Sequence, residues 1–154
     1  TPKPSSAASD VYKRQDHLLV VGKHASKLGL LNAQGIRTAL LSEIGADAEA
    51  DIVVDATGSD SGLTTALRLV RPRGTVVLKT TVAGSQTLAL APVVVDEVTV
   101  VGSRCGPFDQ ALTLLASGGV SVAPLISSRF ELSRGPEALA AAASQLKVLI
   151  DVHD

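Results

Sequence analysis

The sequence predicts an α/β domain built on a parallel β-sheet, and three short apolar runs carry that prediction. Ile52–Val54, Thr75–Leu78 and Val98–Val101 are rich in β-branched residues and lack polar alternation, which is typical of strands buried on both faces. Each run leads into Gly, Ser or Thr, and helical patterns separate the runs along the chain. Such alternation indicates βαβ units. Because ligands bind outside the carboxyl ends of parallel strands, these small residues predict one binding crevice.

The composition narrows the class of protein. The chain has 154 residues, 45% of them hydrophobic, and a net charge of -1. This near-neutral balance gives no electrostatic reason to expect a nucleic-acid or membrane partner, and no apolar run reaches the roughly 20 residues of a membrane span. The single cysteine excludes an intramolecular disulfide and fits a cytoplasmic location. Because aromatic residues make up only 2%, we expect an aliphatic core.

The first fifteen residues do not fit the pattern of the rest. They are polar and have neither helical nor strand periodicity. Ser5–Gln15 is also the translation of a common transposase-type sequencing adapter. We therefore expect 1–15 to be a non-native or disordered tail, with native sequence starting near Asp16, inside a gene rather than at its start.

The next segment alternates strand and helix. Leu18–Val21 is a buried-strand run that ends at Gly22. Ala25–Gln34 has a helical apolar pattern, and Gly35 is a typical C-terminal stop. Ile36–Leu41 is a short predicted strand. An acidic loop or short helix, 42–50, then leads into the strand that begins at Asp51.

The central segment predicts a second βαβ unit. Gly62–Val70 is an amphipathic helix, which the turn 71–74 ends because Pro72 cannot continue it. A strand follows over Gly74–Thr81. A loop over 82–92 then precedes the apolar residues 93–95 and the strand that starts at Val98.

The last third predicts one more helix and then a separate group of elements. Pro107 suits the start of a helix that runs to Gly118. Beyond it, Pro124–Leu132 is predicted as an isolated strand, Gly135–Gln145 as an Ala-rich helix and Leu146–Val152 as a closing strand.

Taken together, these residues resemble the C-terminal half of the medium-chain, zinc-type alcohol dehydrogenases. The resemblance covers about Leu18 to Val152, and it lies in the order and spacing of four motifs: Val53–Gly58, Leu67–Leu78, Val100–Gly106 and Ala111–Ile126. It implies a Rossmann-type doubly wound parallel sheet over 16–122, followed by a helix and strand over 123–154 that return to a catalytic domain.

The same resemblance implies that part of the family's domain is missing. Leu18–Val21 matches the family's second strand, and no Gly-x-Gly-x-x-Gly turn occurs in the chain. We therefore expect the sheet to be incomplete, truncated before its first strand, with the zinc ligands in an absent catalytic domain. Because the first strand is central in the order 3-2-1-4-5-6, its neighbours would expose edges. The chain alone is expected to be inactive and poorly soluble.

The resemblance places the adenosine end of a nicotinamide cofactor at Gly22, Lys23 and His24. At the end of the second strand, NAD-dependent relatives usually place an acid that binds the ribose. Here a glycine followed by two basic residues suits a 2′-phosphate, which favours NADP over NAD. The alternative is that Lys23 and Lys27 are ordinary solvated charges at a helix start.

Further cofactor contacts are implied at the later strand ends. They comprise Thr57, Gly58 and Ser59 beside the adenosine ribose, then Lys79, Thr80, Ser103, Arg104 and Cys105 beside the nicotinamide, and Lys147 at the pyrophosphate. Four of them have a simpler alternative: a tight strand exit at Ser59, a surface or interface position at Arg104, packing at Cys105 and a solvated strand start at Lys147. No catalytic residue is assigned, because no His or acid is spaced to activate Cys105.

The sequence predicts no metal site in this chain. His17, His24 and His153 are far apart, and none has metal-ligand spacing with another His or Cys. By resemblance, zinc belongs only to the domain that this chain lacks.

The resemblance implies the cofactor-binding portion of an oxidoreductase that moves hydride between NAD(P)(H) and an alcohol or carbonyl substrate. Two alternatives stay open: a zinc-free quinone or enoyl reductase of the same superfamily, and a non-catalytic nucleotide-sensing Rossmann module. The return segment Pro124–Val152 argues against the second. A homo-oligomer, dimer or tetramer, is expected, with Val98–Val101 and Val120–Ile126 as candidate interface positions.

Overall fold

The computed structural model describes residues 18–45, 49–82 and 89–152, which form two compact units. One unit comprises 44–105, and the other combines 18–43 with 106–152 within the described ranges. Every pair of neighbouring strands is parallel, so the predicted α/β class with parallel sheets is confirmed. The predicted tail 1–15, together with His17 and His153, lies outside the described residues.

The unit 44–105 contains a three-stranded sheet. Its strands are β3 (Ala50–Asp55), β4 (Val70–Leu78) and β5 (Thr99–Gly102), and they lie in the order β3-β4-β5. Helix α2 (Gly62–Leu69) connects the first two strands, and the short helix α3 (Ala91–Val95) precedes the third. Asp55 pairs with Leu78, and Leu78 pairs with Gly102, so that the three carboxyl ends lie side by side.

The core of this unit is aliphatic, as the composition predicts. Val76, on the central strand, has 0% exposure. Around it lie the other buried members of the cluster: Ala66, Leu67, Val70 and Val98. Helix α2 therefore holds its apolar face against the sheet, as its amphipathic pattern predicts.

Burial on both faces, which the apolar runs predict for all three strands, is wrong for β3 and β5. Ile52 is 63% exposed and Val54 is 54% exposed, whereas Val53 between them packs against the core. Side chains alternate along a strand, so Ile52 and Val54 share the face opposite the core. All residues of β5 are exposed as well. Among the described strands, β3 and β5 are edge strands with a partner on one side only.

The turn predicted at 71–74 is a bulge inside β4. Val70 pairs with Ala50 and Thr75 pairs with Ile52. Residues 71–74 of β4 therefore lie opposite Asp51 alone, and these extra residues form the bulge. Arg73 takes the left-handed φ of 61° there, and its N–H donates to Asp96 O at 2.7 Å.

The other unit contains two parallel strand pairs. In the first, β1 (Leu19–Gly22) pairs with β2 (Arg37–Leu40), and helix α1 (Ala25–Asn32) connects them. Gly35 ends that helical segment at a φ of 78°, as its role as a stop predicts. A 3-10 turn, Leu41–Glu43, follows β2.

The second pair corrects the prediction of an isolated strand over Pro124–Leu132. The strand β6 is shorter, Ser128–Glu131, and it pairs with β7 (Val148–Asp151). Helix α5 (Gly135–Ala142) is the crossover that a parallel pair requires. The remaining elements of this unit are helix α4 (Phe108–Ala116) and 3-10 turns at Ala123–Leu125 and Leu132–Arg134. Among the described helices, none has the length and apolar character to cross a membrane.

Candidate functional site

The carboxyl ends of β3, β4 and β5 are joined by backbone hydrogen bonds into one continuous edge. The N–H groups of Lys79 and Thr80 donate to Asp55 O at 2.8 and 3.0 Å. The N–H of Ser103 donates to Leu78 O at 2.9 Å. The structure thereby brings most of the predicted cofactor residues to this edge: Thr57, Gly58, Ser59, Lys79, Thr80, Ser103, Arg104 and Cys105.

Asp55 is the buried charged group of this edge, with 3% exposure. Its Oδ1 accepts hydrogen bonds from the N–H of Thr57 at 3.0 Å, from Thr57 Oγ1 at 2.8 Å and from Thr80 Oγ1 at 2.8 Å. A buried carboxylate is tolerated when it is hydrogen-bonded in this way. Sequence reasoning missed Asp55 as a site residue, although an acid directly after an apolar run, with Thr57 two positions later, is a visible signal.

The two threonine hydroxyls extend the network into the loop after β3. Thr57 Oγ1 accepts from the N–H of Ser59 at 3.2 Å, and Thr80 Oγ1 accepts from the N–H of Gly58 at 3.1 Å. The N–H groups of residues 57–59 are therefore all used within the protein. What the loop offers a ligand is its side chains and the surface above Gly58.

Gly58 fits the close approach of a flat ligand. Its φ is 64°, a conformation that favours glycine, and a Cβ placed there would meet nothing within 4 Å. Nearby, the hydroxyls of Ser59 and Ser61 lie 3.0 Å apart. The loop therefore presents an open backbone surface beside two hydroxyl groups, which suits a ribose or an aromatic base.

The ends of β4 and β5 carry positive charge. Lys79 Nζ donates to Arg104 O and lies 3.4 Å from Ser103 Oγ. Both Lys79 and Arg104 are exposed, and neither forms an ion pair with another described residue. This part of the edge suits an anionic ligand such as a dinucleotide. Cys105 is exposed, so packing, the alternative for this residue, is wrong.

The remaining predicted residues lie in the unit 18–43 and 106–152. Gly22 ends β1, and a Cβ there would lie 3.0 Å from Leu28 Cδ2, so the glycine lets α1 pack closely. Lys23 and His24 are exposed between β1 and α1. His24 is the N-cap of α1, and its carbonyl accepts from the N–H of Leu28 at 3.1 Å. Lys147 is exposed directly before β7.

The described residues do not fit zinc. Across 18–45, 49–82 and 89–152, no three His, Cys, Asp or Glu side chains lie close enough together to hold a metal ion.

Comparison with known proteins identifies the family. A sequence model described as zinc-binding dehydrogenase matches residues 22–117, more than half of the chain. The chain belongs to the zinc-binding dehydrogenase family. This confirms the resemblance to zinc-type alcohol dehydrogenases that the strand-end motifs indicate. Among curated members, sorbitol dehydrogenase of Mus musculus is 29% identical over 128 residues, which cover 80% of this chain and 35% of that protein.

Solved structures show the same fold. A Sinorhizobium meliloti protein bound to NADP has a TM-score of 0.75 at 24% identity, over 87% of this chain and 44% of that one. An Escherichia coli alcohol dehydrogenase in complex with NADH has a TM-score of 0.73 at 18% identity, over 87% and 44%. This zinc-binding dehydrogenase chain thus spans less than half the length of the relatives it matches.

Proposed function

We propose that this chain binds the nicotinamide cofactor of an oxidoreductase that transfers hydride between NAD(P)(H) and an alcohol or carbonyl substrate. The observation that carries the proposal is the edge at which three parallel strands end in register. That edge combines an open glycine surface at Gly58 with the cationic groups of Lys79 and Arg104. Membership of the zinc-binding dehydrogenase family supports this assignment.

Each residue of the edge has a distinct task in this proposal. A bound nicotinamide supplies or accepts the hydride, and the protein binds and orients it. Gly58 lets the cofactor lie against the backbone, while Lys79 and Arg104 attract its negative charge. Ser103 offers a hydroxyl group at the nicotinamide side. The described residues contribute binding and orientation, and no group of three metal-ligating side chains lies among them.

We propose NADP as the preferred cofactor. The family fold does not decide this point, since similar structures hold NADP in one case and NADH in another. The local chemistry after β1 favours NADP, because Gly22 stands where a ribose-binding acid would exclude a phosphate. The exposed Lys23 follows directly and offers a cation to the 2′-phosphate.

Fluorescence titration tests both proposals. The emission of NADPH and NADH changes on binding and reports the affinity of each cofactor for the chain. We expect tighter binding of NADPH than of NADH. The variant Lys23→Asp should weaken NADPH binding about tenfold or more, as expected for loss of a charged hydrogen bond. Lys27→Asp, one turn into α1, is the matched control. Equal affinity of wild type and Lys23→Asp for NADPH would contradict the preference.

We further propose a homo-oligomer that pairs through β5. This edge strand exposes Val100 and Val101, and it has one described partner, β4. Unpaired edges with apolar side chains favour strand pairing between copies. Light scattering of Val101→Lys should report a smaller species than wild type if this edge forms the interface.

A further inference from the structure

We propose that Asp55 is the positioning residue of the cofactor edge, and that its carboxylate sets the loop after β3 and the end of β4 in their binding arrangement. The inference rests on the proposed function, because it assigns a role in binding the nicotinamide cofactor. It adds a residue that touches no ligand itself and acts through Thr57 and Thr80.

One carboxylate oxygen accepts hydrogen bonds from side chains of both segments. Asp55 Oδ1 accepts from Thr57 Oγ1 and from Thr80 Oγ1, both at 2.8 Å. Each hydroxyl has one proton to donate. The Thr57 hydroxyl donates to this oxygen, and for Thr80 this oxygen, at 2.8 Å, is a nearer acceptor than Asp55 O, at 3.3 Å. The hydroxyl lone pairs are thereby turned outward, where they accept from the N–H groups of Ser59 and Gly58. The orientation of both threonine side chains thus depends on one carboxylate.

The hydrogen bonds to Asp55 Oδ1 come from the ligand edge and not from the core, which indicates that Asp55 positions the edge. All three donors to Oδ1 come from Thr57 and Thr80, at the carboxyl edge. At the other end of the same strand, Asp51 is exposed and pairs with Arg71 at 2.6 Å. Both residues are aspartates on β3, but only Asp55 connects the segments that carry the proposed cofactor contacts.

The arrangement predicts what happens when the carboxylate is removed. Asp55→Ala removes the acceptor of the Thr57 hydroxyl and the nearer of the two acceptors of the Thr80 hydroxyl, so both side chains lose their fixed orientation. Gly58 then loses the fixed acceptor of its N–H, and the open surface above it is no longer held in one place. Asp55→Asn keeps an oxygen at the same position and should retain much of the arrangement.

The test measures the affinity of the full chain for NADPH from the fluorescence of the cofactor. Wild type and each variant are compared at a temperature at which circular dichroism shows them to be folded. Asp55→Ala should weaken binding about tenfold, and Asp55→Asn should recover most of that loss. Asp51→Ala, the matched control, should bind like wild type. Thr80→Val preserves shape and removes one link, so it provides the test even if Asp55→Ala does not fold. It should weaken binding, and adding Asp55→Ala to it should weaken binding further by less than the single change does.

The outcomes separate the inference from the proposed function. If wild type binds NADPH, and folded Asp55→Ala and Thr80→Val bind it equally well, the inference is overturned while the proposed function stands. If their thermal stability falls without any change in affinity, Asp55 is a structural residue only, which also overturns it. Absence of saturable NADPH binding by wild type would overturn the proposed function and this inference with it.

Discussion

A Cβ atom on Gly62 would lie 2.5 Å from Asp55 Oδ1 and 2.3 Å from Thr57 Oγ1. Helix α2 therefore begins directly against the buried carboxylate, and only a residue without a side chain allows this approach. The positive end of the helix dipole lies beside the negative charge as a result. One glycine thus joins the core helix of the unit 44–105 to its ligand edge.

Gly62→Ala should be strongly destabilising. Neither the carboxylate nor the strand end can move away without breaking the network, so we expect a loss of about 2–3 kcal/mol in the free energy of unfolding. Urea unfolding followed by circular dichroism measures the loss. Gly29→Ala is the matched control, since that exposed helical glycine has nothing within 4 Å of its Cβ position. The control should gain about 0.5–1 kcal/mol. Similar stability of the two variants would refute the packing described for Gly62.

Gly58→Ala should be destabilising for a different reason. There is space for the methyl group, but a φ of 64° is unfavourable for any residue with a Cβ. The expected cost is about 1–2 kcal/mol, which is smaller than at Gly62. Thermal unfolding of both variants under one set of conditions gives the order. A neutral Gly58→Ala would show that the loop does not hold this conformation.

Val76→Ala tests the location of the core. This side chain is fully buried in the central strand, so its truncation should reduce the free energy of unfolding by about 1–3 kcal/mol. Val94 is 75% exposed, and Val94→Ala should change it by less than about 0.5 kcal/mol. Equal losses in urea unfolding would place the core elsewhere.

The first turn of α5 should give a small, pH-dependent contribution to stability. A hydrogen bond from Arg134, at 2.6 Å, and its positive charge lower the pKa of Glu137 below its ordinary value. A lowered folded-state pKa stabilises the protein above the unfolded-state pKa, and this stabilisation is lost as the pH falls through the folded-state value. The melting temperature of Glu137→Gln should therefore be lower than that of wild type at neutral pH. The two melting temperatures should converge in acid, below the ordinary glutamate pKa of 4.5.

The difference between Glu137→Gln and wild type should also depend on salt. Because both side chains of the ion pair are exposed, 1 M salt should reduce the difference in melting temperature. A difference that is the same at neutral and acid pH would contradict this assignment.

Local patterns predicted most of the elements because those elements depend on short-range chemistry. The helix over Gly62–Leu69 follows from its apolar face, and the end of the α1 segment follows from Gly35. Pairing across long separations was harder to predict. The residues of β6 pair with residues of β7 that lie twenty positions later in the chain, so the local sequence makes β6 look isolated. The apolar run 52–54 predicts burial of both faces of β3, but the run does not show that a helix covers only the face of Val53.

The candidate site could be predicted as a set of strand ends but not as a network. Parallel strands place their carboxyl ends together, which is why Thr57, Thr80 and Ser103 could be grouped from the sequence. The role of Asp55 depends on side-chain hydrogen bonds to Thr80, 25 residues away. No spacing rule predicts such a contact. The position of Lys79 at a strand end is likewise visible in the sequence, whereas the hydrogen bond from its ammonium group to the carbonyl of Arg104 is visible only in the structure.

The most direct test of cofactor binding at the carboxyl edge is an NMR titration of the isotope-labelled chain with NADPH. We expect saturable shifts of the backbone amides at 57–59, 79–80 and 103–105, and none at the opposite edge, where Arg71 and Asp51 form an ion pair. That result would place the cofactor at the strand ends, as the account requires. Shifts concentrated around Asp51 and Arg71, or no saturable shift at all, would contradict it.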